Sequence, residues 1–183
     1  MEIYLVRHTS VDVPKGVCYG QTDVPLKESF LQEAEAVKAN LQEIVAQGDG
    51  DNFFDAVYTS PLSRCTRLAE HCGYGNAARE LRIMEINFGR WEMQEFGKIS
   101  DPRLEEWYAN WLDVRATDGE SFRDQYGRVS DFLNSLKAAG MDRVLLFAHG
   151  GVLACAKILS GQMDPKEAFA QLEDYGAIIK VEL

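Results

Sequence analysis

Apolar residues fall into two kinds of segment along this chain, short continuous runs and longer stretches at helical spacing, and the two kinds alternate. Residues 2–7, Glu2-Ile3-Tyr4-Leu5-Val6-Arg7, are apolar and partly β-branched, which predicts a buried strand. Pro14, Gly16, Gly20 and Pro25 then punctuate a loop. From residue 27 to about 46, Phe30, Leu31, Ala34, Val37, Leu41 and Ile44 recur as one face of a helix. Gly48-Asp49-Gly50-Asp51-Asn52 predicts a turn and residues 53–58 a second strand. A helix reaching about residue 72 is expected next, with Ser60 as its N-cap and Pro61 in its first turn. Residues 77–81 fit a short third strand.

Residues 85–97 break both patterns, being irregular and rich in aromatic and acidic groups. Residues 102–112 predict a helix carrying Leu104, Trp107, Tyr108 and Trp111, with the three aromatics on a shared face. A longer helix over 121–139 has Phe122, Tyr126, Val129, Phe132, Leu133 and Leu136 on its apolar side. The most apolar strand, 143–148, leads into a helix over 151–160, and 177–183 is a final strand. Strands alternating with helices imply an α/β fold, a three-layer α/β/α sandwich with a mostly parallel central sheet. No repeat, low-complexity tract or linker interrupts it, so residues 1–183 read as a single domain. Ligands of such sheets sit at the carboxyl ends of strands. That rule brings Arg7-His8, residues 59–64 and His149-Gly150 to one rim.

Charge narrows the function classes. With 19 Lys and Arg against 29 Asp and Glu, the formal net charge is -10. Nucleic-acid backbones and anionic membranes should repel such a chain. A bound phosphate would need a local knot of positive charge. The 4 cysteines form no C-x-x-C pair and the 3 histidines lie far apart, so no metal site and no cofactor are expected. The thiols read as free, as in a reducing cytosol. The N-terminus lacks the basic and apolar regions of a signal peptide, and no run approaches the roughly 18 apolar residues of a membrane span. A soluble, cytoplasmic protein acting on a small molecule is the expectation.

Four features carry candidate chemistry, and each also has a structural explanation. Arg7 offers a planar fork of donors suited to phosphate oxygens, and a neutral His8 can attack phosphorus with one ring nitrogen; the pair also fits a capping Arg beside an ordinary histidine. Arg64 lies in a first helical turn, where a cation is disfavoured unless an anion joins it; a surface ion pair is the alternative. His149 ends the most apolar strand, before glycines that allow close backbone approach; it also fits a buried, hydrogen-bonded histidine. Glu85, flanked by Ile83, Met84 and Ile86, fits a general acid that keeps its proton near neutral pH. A surface glutamate is the alternative there, and Glu92 and Glu120 compete for the role.

As an ordered set, Leu5-Val6-Arg7-His8, Ser60-Pro61-Leu62-Ser63-Arg64, Glu85, Phe88-Gly89-Arg90-Trp91-Glu92, Gly119-Glu120-Ser121 and Ala148-His149-Gly150-Gly151 resemble the histidine phosphatase superfamily, also called phosphoglycerate-mutase-like. The resemblance spans nearly the whole chain. It implies a phosphomonoesterase with His8 as the nucleophile that becomes phosphohistidine. Arg7, Arg64 and His149 would grip the phosphoryl oxygens, and Glu85 would protonate the leaving oxygen. His71 matches no motif and reads as a helix surface residue. The family usually has Gly and then an acid or amide after the catalytic histidine, and often an Asn six residues on. Here stand Thr9, Ser10 and Pro14, so the hydroxyls of Thr9 or Ser10, or the backbone near Tyr19 and Gly20, would have to replace a phosphate donor. The compact chain, ending directly after its last strand, favours phosphatase over mutase. Its 18–26 loop and 87–92 stretch most resemble the alpha-ribazole phosphatase group of cobalamin biosynthesis. Tyr19, Gly20, Gln21, Trp107 and Trp111 would then meet the substrate, with Trp91 a further stacking candidate. A broad sugar-phosphate or phosphoglycerate phosphatase or mutase is the alternative. An inactive binding module of the same fold is a third reading, against which His8 and Arg64 both remain.

Overall fold

A computed structural model describes residues 1–48 and 53–183. The turn expected at 48–52 lies outside the described residues apart from Gly48. Five strands form one sheet: β1 (Glu2–Arg7), β2 (Ala56–Thr59), β3 (Ala78–Arg79), β4 (Arg143–Ala148) and β5 (Ile178–Glu182), in the order β3-β2-β4-β1-β5. β1 and β4 run parallel in register from Glu2 opposite Arg143 to Arg7 opposite Ala148. β2 and β3 continue the parallel order, and only β5 is antiparallel, against β1. The α-helices among the described residues are α1 (Phe30–Ala46), α2 (Ser63–His71), α3 (Arg103–Ala109), α4 (Phe122–Ala138) and α5 (Gly150–Leu159).

Side chains alternate across a strand, and this alternation sorts the core into two layers. Ile3, Leu5, Val144 and Leu146 face α4 and α5, where they meet Phe132, Leu133 and Val152. Tyr4, Val6, Leu145 and Phe147 face α1 and α2, where they meet Phe30, Val37 and Leu68. β1 and β4 are thus buried on both faces, which is why they read as continuous apolar runs rather than alternating ones. The result is the three-layer α/β/α sandwich. A third cluster, built from Cys18, Ile86, Phe88, Trp91, Leu104 and Trp107, packs beside the sheet's carboxyl rim.

Three boundaries differ from the sequence expectation. β2 starts at Ala56, because Phe53 and Phe54 turn inward to meet the Tyr4 ring at 5.7 and 5.5 Å instead of joining the ladder. α2 starts at Ser63 with Leu62 as its cap, not at Ser60. The cap is supplied from a distance: Asp23 Oδ1 accepts from the Ser63 N–H at 2.9 Å and from its hydroxyl at 2.7 Å. α3 ends at Ala109, so Trp111 lies beyond it, and Trp107 is buried while Tyr108 is 56 % exposed. The expected shared aromatic face does not exist. α4, by contrast, opens on a full capping box between Ser121 and Asp124. No helix among the described residues is long and apolar enough to cross a membrane.

Candidate active site

The carboxyl ends of β1 and β4 lie side by side, and a cleft of about 550 Å3 opens beside them. His8 follows β1 directly. It is buried, lines the cleft, and its ring centroid lies 5.2 Å from that of His149. Its Nδ1 sits 2.7 Å from the Thr9 carbonyl oxygen. A carbonyl can only accept, so Nδ1 carries the proton and Nε2 holds a free lone pair. Burial, reinforced by the nearby Arg64 charge, pushes the His8 pKa down to about 3. The imidazole is therefore neutral at pH 7, which a nucleophile requires.

His149 caps α5 and is also completely buried. Arg64 Nε donates to its Nδ1 at 3.3 Å, so the His149 proton sits on Nε2, 2.7 Å from the Ser60 hydroxyl oxygen. This is where the Ser60 side chain goes in place of the expected helix cap. Burial, then the Arg64 charge, holds the His149 pKa well below its usual range.

Arg64, in the first turn of α2, is wholly buried with no acidic partner among the described residues to neutralise it. Its guanidinium donates to the carbonyls of Thr22 and Gly20, at 3.0 and 2.5 Å, as well as to His149. Arg7 donates to the Glu173 carbonyl, lies 4.2 Å under the Tyr175 ring, and has its Nε buried without a partner. Arg7 lines the cleft beside His8, whereas Arg64, like His149, is wholly buried and not part of the cleft lining; cations held only by neutral groups favour a nearby anion. The glycines after His149 serve these side chains. A Cβ on Gly150 would lie 3.2 Å from the Arg7 guanidinium carbon, and one on Gly151 only 2.4 Å from Glu85 Oε1.

Glu85 lines the cleft, but its carboxylate is not wrapped in apolar groups as its neighbours suggested. Gln125 Nε2 donates to Oε1 at 2.7 Å, the Ile86 N–H to Oε1 at 2.9 Å, and the Gly151 N–H to Oε2 at 3.2 Å. The last bond places Glu85 at the N-terminus of α5. Arg128 fixes the backbone behind it, donating to the carbonyls of Arg82, Met84 and Glu85. The competing carboxylates have other duties outside the cleft. Glu92 accepts from the N–H groups of Gln21, Thr22 and Phe88, and Glu120 pairs with Arg128 and accepts from the Asn87 N–H.

Of the expected substrate contacts, Tyr19 and Trp107 line the cleft. Trp111 does not: beyond the end of α3 its ring packs on Phe169 and Phe122, at 4.5 and 5.3 Å. Gly20 contributes only its carbonyl to Arg64, and a Cβ there would meet the Ile86 oxygen at 1.9 Å. Gln21 donates its side-chain amide to the Glu85 carbonyl at 3.0 Å and buttresses the loop from behind. Trp91 is core, its indole N–H given to Asp101 at 2.7 Å. Pro14 is exposed, and the Thr9 hydroxyl is buried without a partner. His71 bonds Glu35 across the α1–α2 surface at 3.0 Å. The thiols of Cys18, Cys65 and Cys72 are each pushed by burial to about 12, which leaves them unreactive. Sequence reasoning missed Tyr175, Gln125 and Arg128. Tyr175 stands in a loop with no motif around it, and the other two sit on α4 among ordinary helix-forming residues.

Known proteins share this fold. The crystal structure of the alpha-ribazole phosphatase from Shigella flexneri shares 22% identity, with a TM-score of 0.83 over 100% of this chain and 91% of that one. A phosphoglycerate mutase from Thermus thermophilus shares 27% identity, with a TM-score of 0.76 over 100% and 93%. A Hydrogenobacter thermophilus protein named "Putative phosphoserine phosphatase 2" is 27% identical over 169 residues, 87% of this chain and 78% of its own length. These likenesses give the chain the phosphoglycerate-mutase-like fold. The model of the Histidine phosphatase superfamily (branch 1) matches residues 3–183, so the chain belongs to that superfamily and is a phosphatase enzyme of it.

Proposed function

We propose that the chain, with residues 1–183 acting as one catalytic unit, hydrolyses a phosphate monoester through a phosphohistidine at His8. The observation that carries this reading is a neutral imidazole with its Nε2 lone pair free, beside two guanidiniums held by carbonyl oxygens. In the first step Nε2 bonds to phosphorus as the bond to the ester oxygen breaks, and Glu85 gives its proton to that oxygen. In the second, water attacks phosphorus as the P–N bond breaks, and Glu85 takes the proton back. Arg7, Arg64 and His149 stabilise the charge on the phosphoryl oxygens. No redox group or cofactor enters this cycle, and turnover should survive excess chelator. The first test is His8→Ala, which should abolish turnover while the far-ultraviolet circular dichroism stays unchanged. Residual turnover within about tenfold of wild type would remove His8 from the chemistry.

The substrate we infer is alpha-ribazole 5'-phosphate. Beyond the phosphate end the cleft is walled by Phe88, Phe96, Trp107, Tyr108 and Phe169, and among the described residues its only charged lining groups are Arg7 and Glu85. A flat benzimidazole suits such walls, since aromatic contact contributes about 0.5–1.5 kcal/mol beyond burial. The carboxylates of phosphoserine or a phosphoglycerate would find no spare cation there. The kcat/KM for alpha-ribazole phosphate should exceed those for 3-phosphoglycerate and phosphoserine by at least about tenfold, equivalent to roughly 1.4 kcal/mol. Equal efficiency on all three would end the case for this substrate and point to a broad phosphatase.

A further inference from the structure

Two phenols close the phosphate end of the cleft. Tyr19 comes from the loop after β1 and Tyr175 from the loop before β5, and their hydroxyl oxygens lie 2.6 Å apart. Each ring accompanies one of the two arginines: Tyr175 lies 4.2 Å from the guanidinium carbon of Arg7, and Tyr19 lies 5.6 Å from that of Arg64. The Tyr175 ring is also 5.4 Å from the His8 ring, and both tyrosines line the cleft beside His8. The bridged pair therefore spans from one cation to the other across the nucleophile.

Counting protons gives the pair a role. Two phenols bring two O–H donors, and their mutual bond uses one. Neither hydroxyl has another partner among the described residues. The two guanidiniums that flank the pair are themselves donors and offer no acceptor, and the lone pair of His8 beside Tyr175 is the one that attacks phosphorus in the proposed reaction. An anion's oxygen would satisfy the remaining O–H and the cations together. Burial keeps Tyr19 protonated far above neutral pH, so the donor stays available.

We propose that Tyr175, held in place by Tyr19, is a catalytic residue whose hydroxyl donates to a phosphoryl oxygen during transfer to His8. The Tyr19 hydroxyl orients it by donating to the Tyr175 oxygen, which leaves the single Tyr175 proton for the anion, and the ring over Arg7 fixes that guanidinium beside it. This inference rests on the phosphohistidine reading above and adds a donor that no motif of the sequence supplies. No bond to the phenol forms or breaks; its proton stays on oxygen throughout.

Orthovanadate, which takes the shape of the transferring phosphoryl group, is the direct probe. Tyr175→Phe keeps the ring over Arg7 and removes only the hydroxyl. Measured by equilibrium titration, vanadate should bind Tyr175→Phe at least about tenfold more weakly than wild type, the scale of a lost hydrogen bond to a charged group. Turnover of a small aryl phosphate should fall in kcat as well as kcat/KM. Tyr19→Phe should weaken vanadate less, since Tyr175 can still donate over His8. The melting temperature of Tyr175→Phe should match wild type, because the residue is 40 % exposed. Unchanged vanadate affinity in Tyr175→Phe, or a larger loss in Tyr19→Phe than in Tyr175→Phe, would overturn the assignment. A wild-type enzyme that never carries phosphate on His8 would instead overturn the parent reading, and the vanadate titration separates the two failures.

Discussion

Glu85 is placed by its partners as much as by its own position in the chain. Its carboxylate accepts from Gln125, Ile86 and Gly151, and the Gln125 side chain is wholly buried with its own Oε1 left without a donor. Glu85→Gln should slow esters of poor leaving groups by about 10²–10⁴-fold and activated aryl phosphates far less, because only the former need a proton in the transition state. Comparing the two rates checks the role, and equal slowing would move the acid elsewhere. Gln125→Leu removes a donor to Glu85 and an orphaned acceptor together. Stability by urea titration should then change by less than about 1 kcal/mol, while turnover of the poor leaving group falls about tenfold. A large stability loss with unchanged leaving-group dependence would make Gln125 a packing residue only.

At the scale of elements, the join between β4 and α5 concentrates the most constraints. Gly151 has no room for a side chain, since a Cβ would press within 2.4 Å of Glu85 Oε1 and 2.8 Å of the Gln125 amide. Gly151→Ala should therefore lower kcat for poor leaving groups by at least about tenfold, the effect of shifting a catalytic group by a fraction of an ångström. Gly97→Ala, whose added carbon meets nothing within 4 Å, serves as the control and should match wild type. The bounds of β1 and β4 were legible to the residue, because strands buried on both faces leave continuous apolar runs. The start of α2 was not. Ser60-Pro61 carries the local signature of a cap, but its hydroxyl is committed to His149, and the capping carboxylate comes from Asp23 in a distant loop. Trp111 was misplaced for a related reason: helical spacing assigns a face only while the helix lasts, and α3 ends first. Arg7, His8 and His149 could be placed at the rim in advance because strand-end position and motif coincide, whereas Arg64 stands in the first turn of α2 and Glu85 follows no strand at all. Tyr175 has neither signal, and only the return of β5 alongside β1 brings its loop to the rim.

For the whole molecule, two neutral histidines buried in one site tie stability to pH. Unfolding returns each imidazole to water, where its pKa is about 6.5. In the folded chain burial depresses His8 to about 3 and lowers His149 strongly too. A group depressed in the folded state binds more protons when unfolded, so stability is lost as pH falls from about 6.5 toward 3. His8 contributes a slope that approaches about 1.4 kcal/mol per pH unit within that window, and His149 adds to it in the same direction below about 6.5. Urea titrations between pH 7 and 5 should show this decline, and replacing His149 by Asn should make it shallower while the His8 share remains. A pH-independent midpoint in wild type would mean that the histidines are not buried neutral. The central claim, that phosphate passes through His8, is tested most directly by rapid acid-free quenching of wild type with ³²P-labelled substrate, followed by peptide mapping. The expected result is one base-stable, acid-labile label, on His8, formed and lost at rates compatible with turnover and absent from His8→Ala. Label on a serine, an aspartate or a cysteine, or steady turnover with no labelled protein at any quench time, would contradict it.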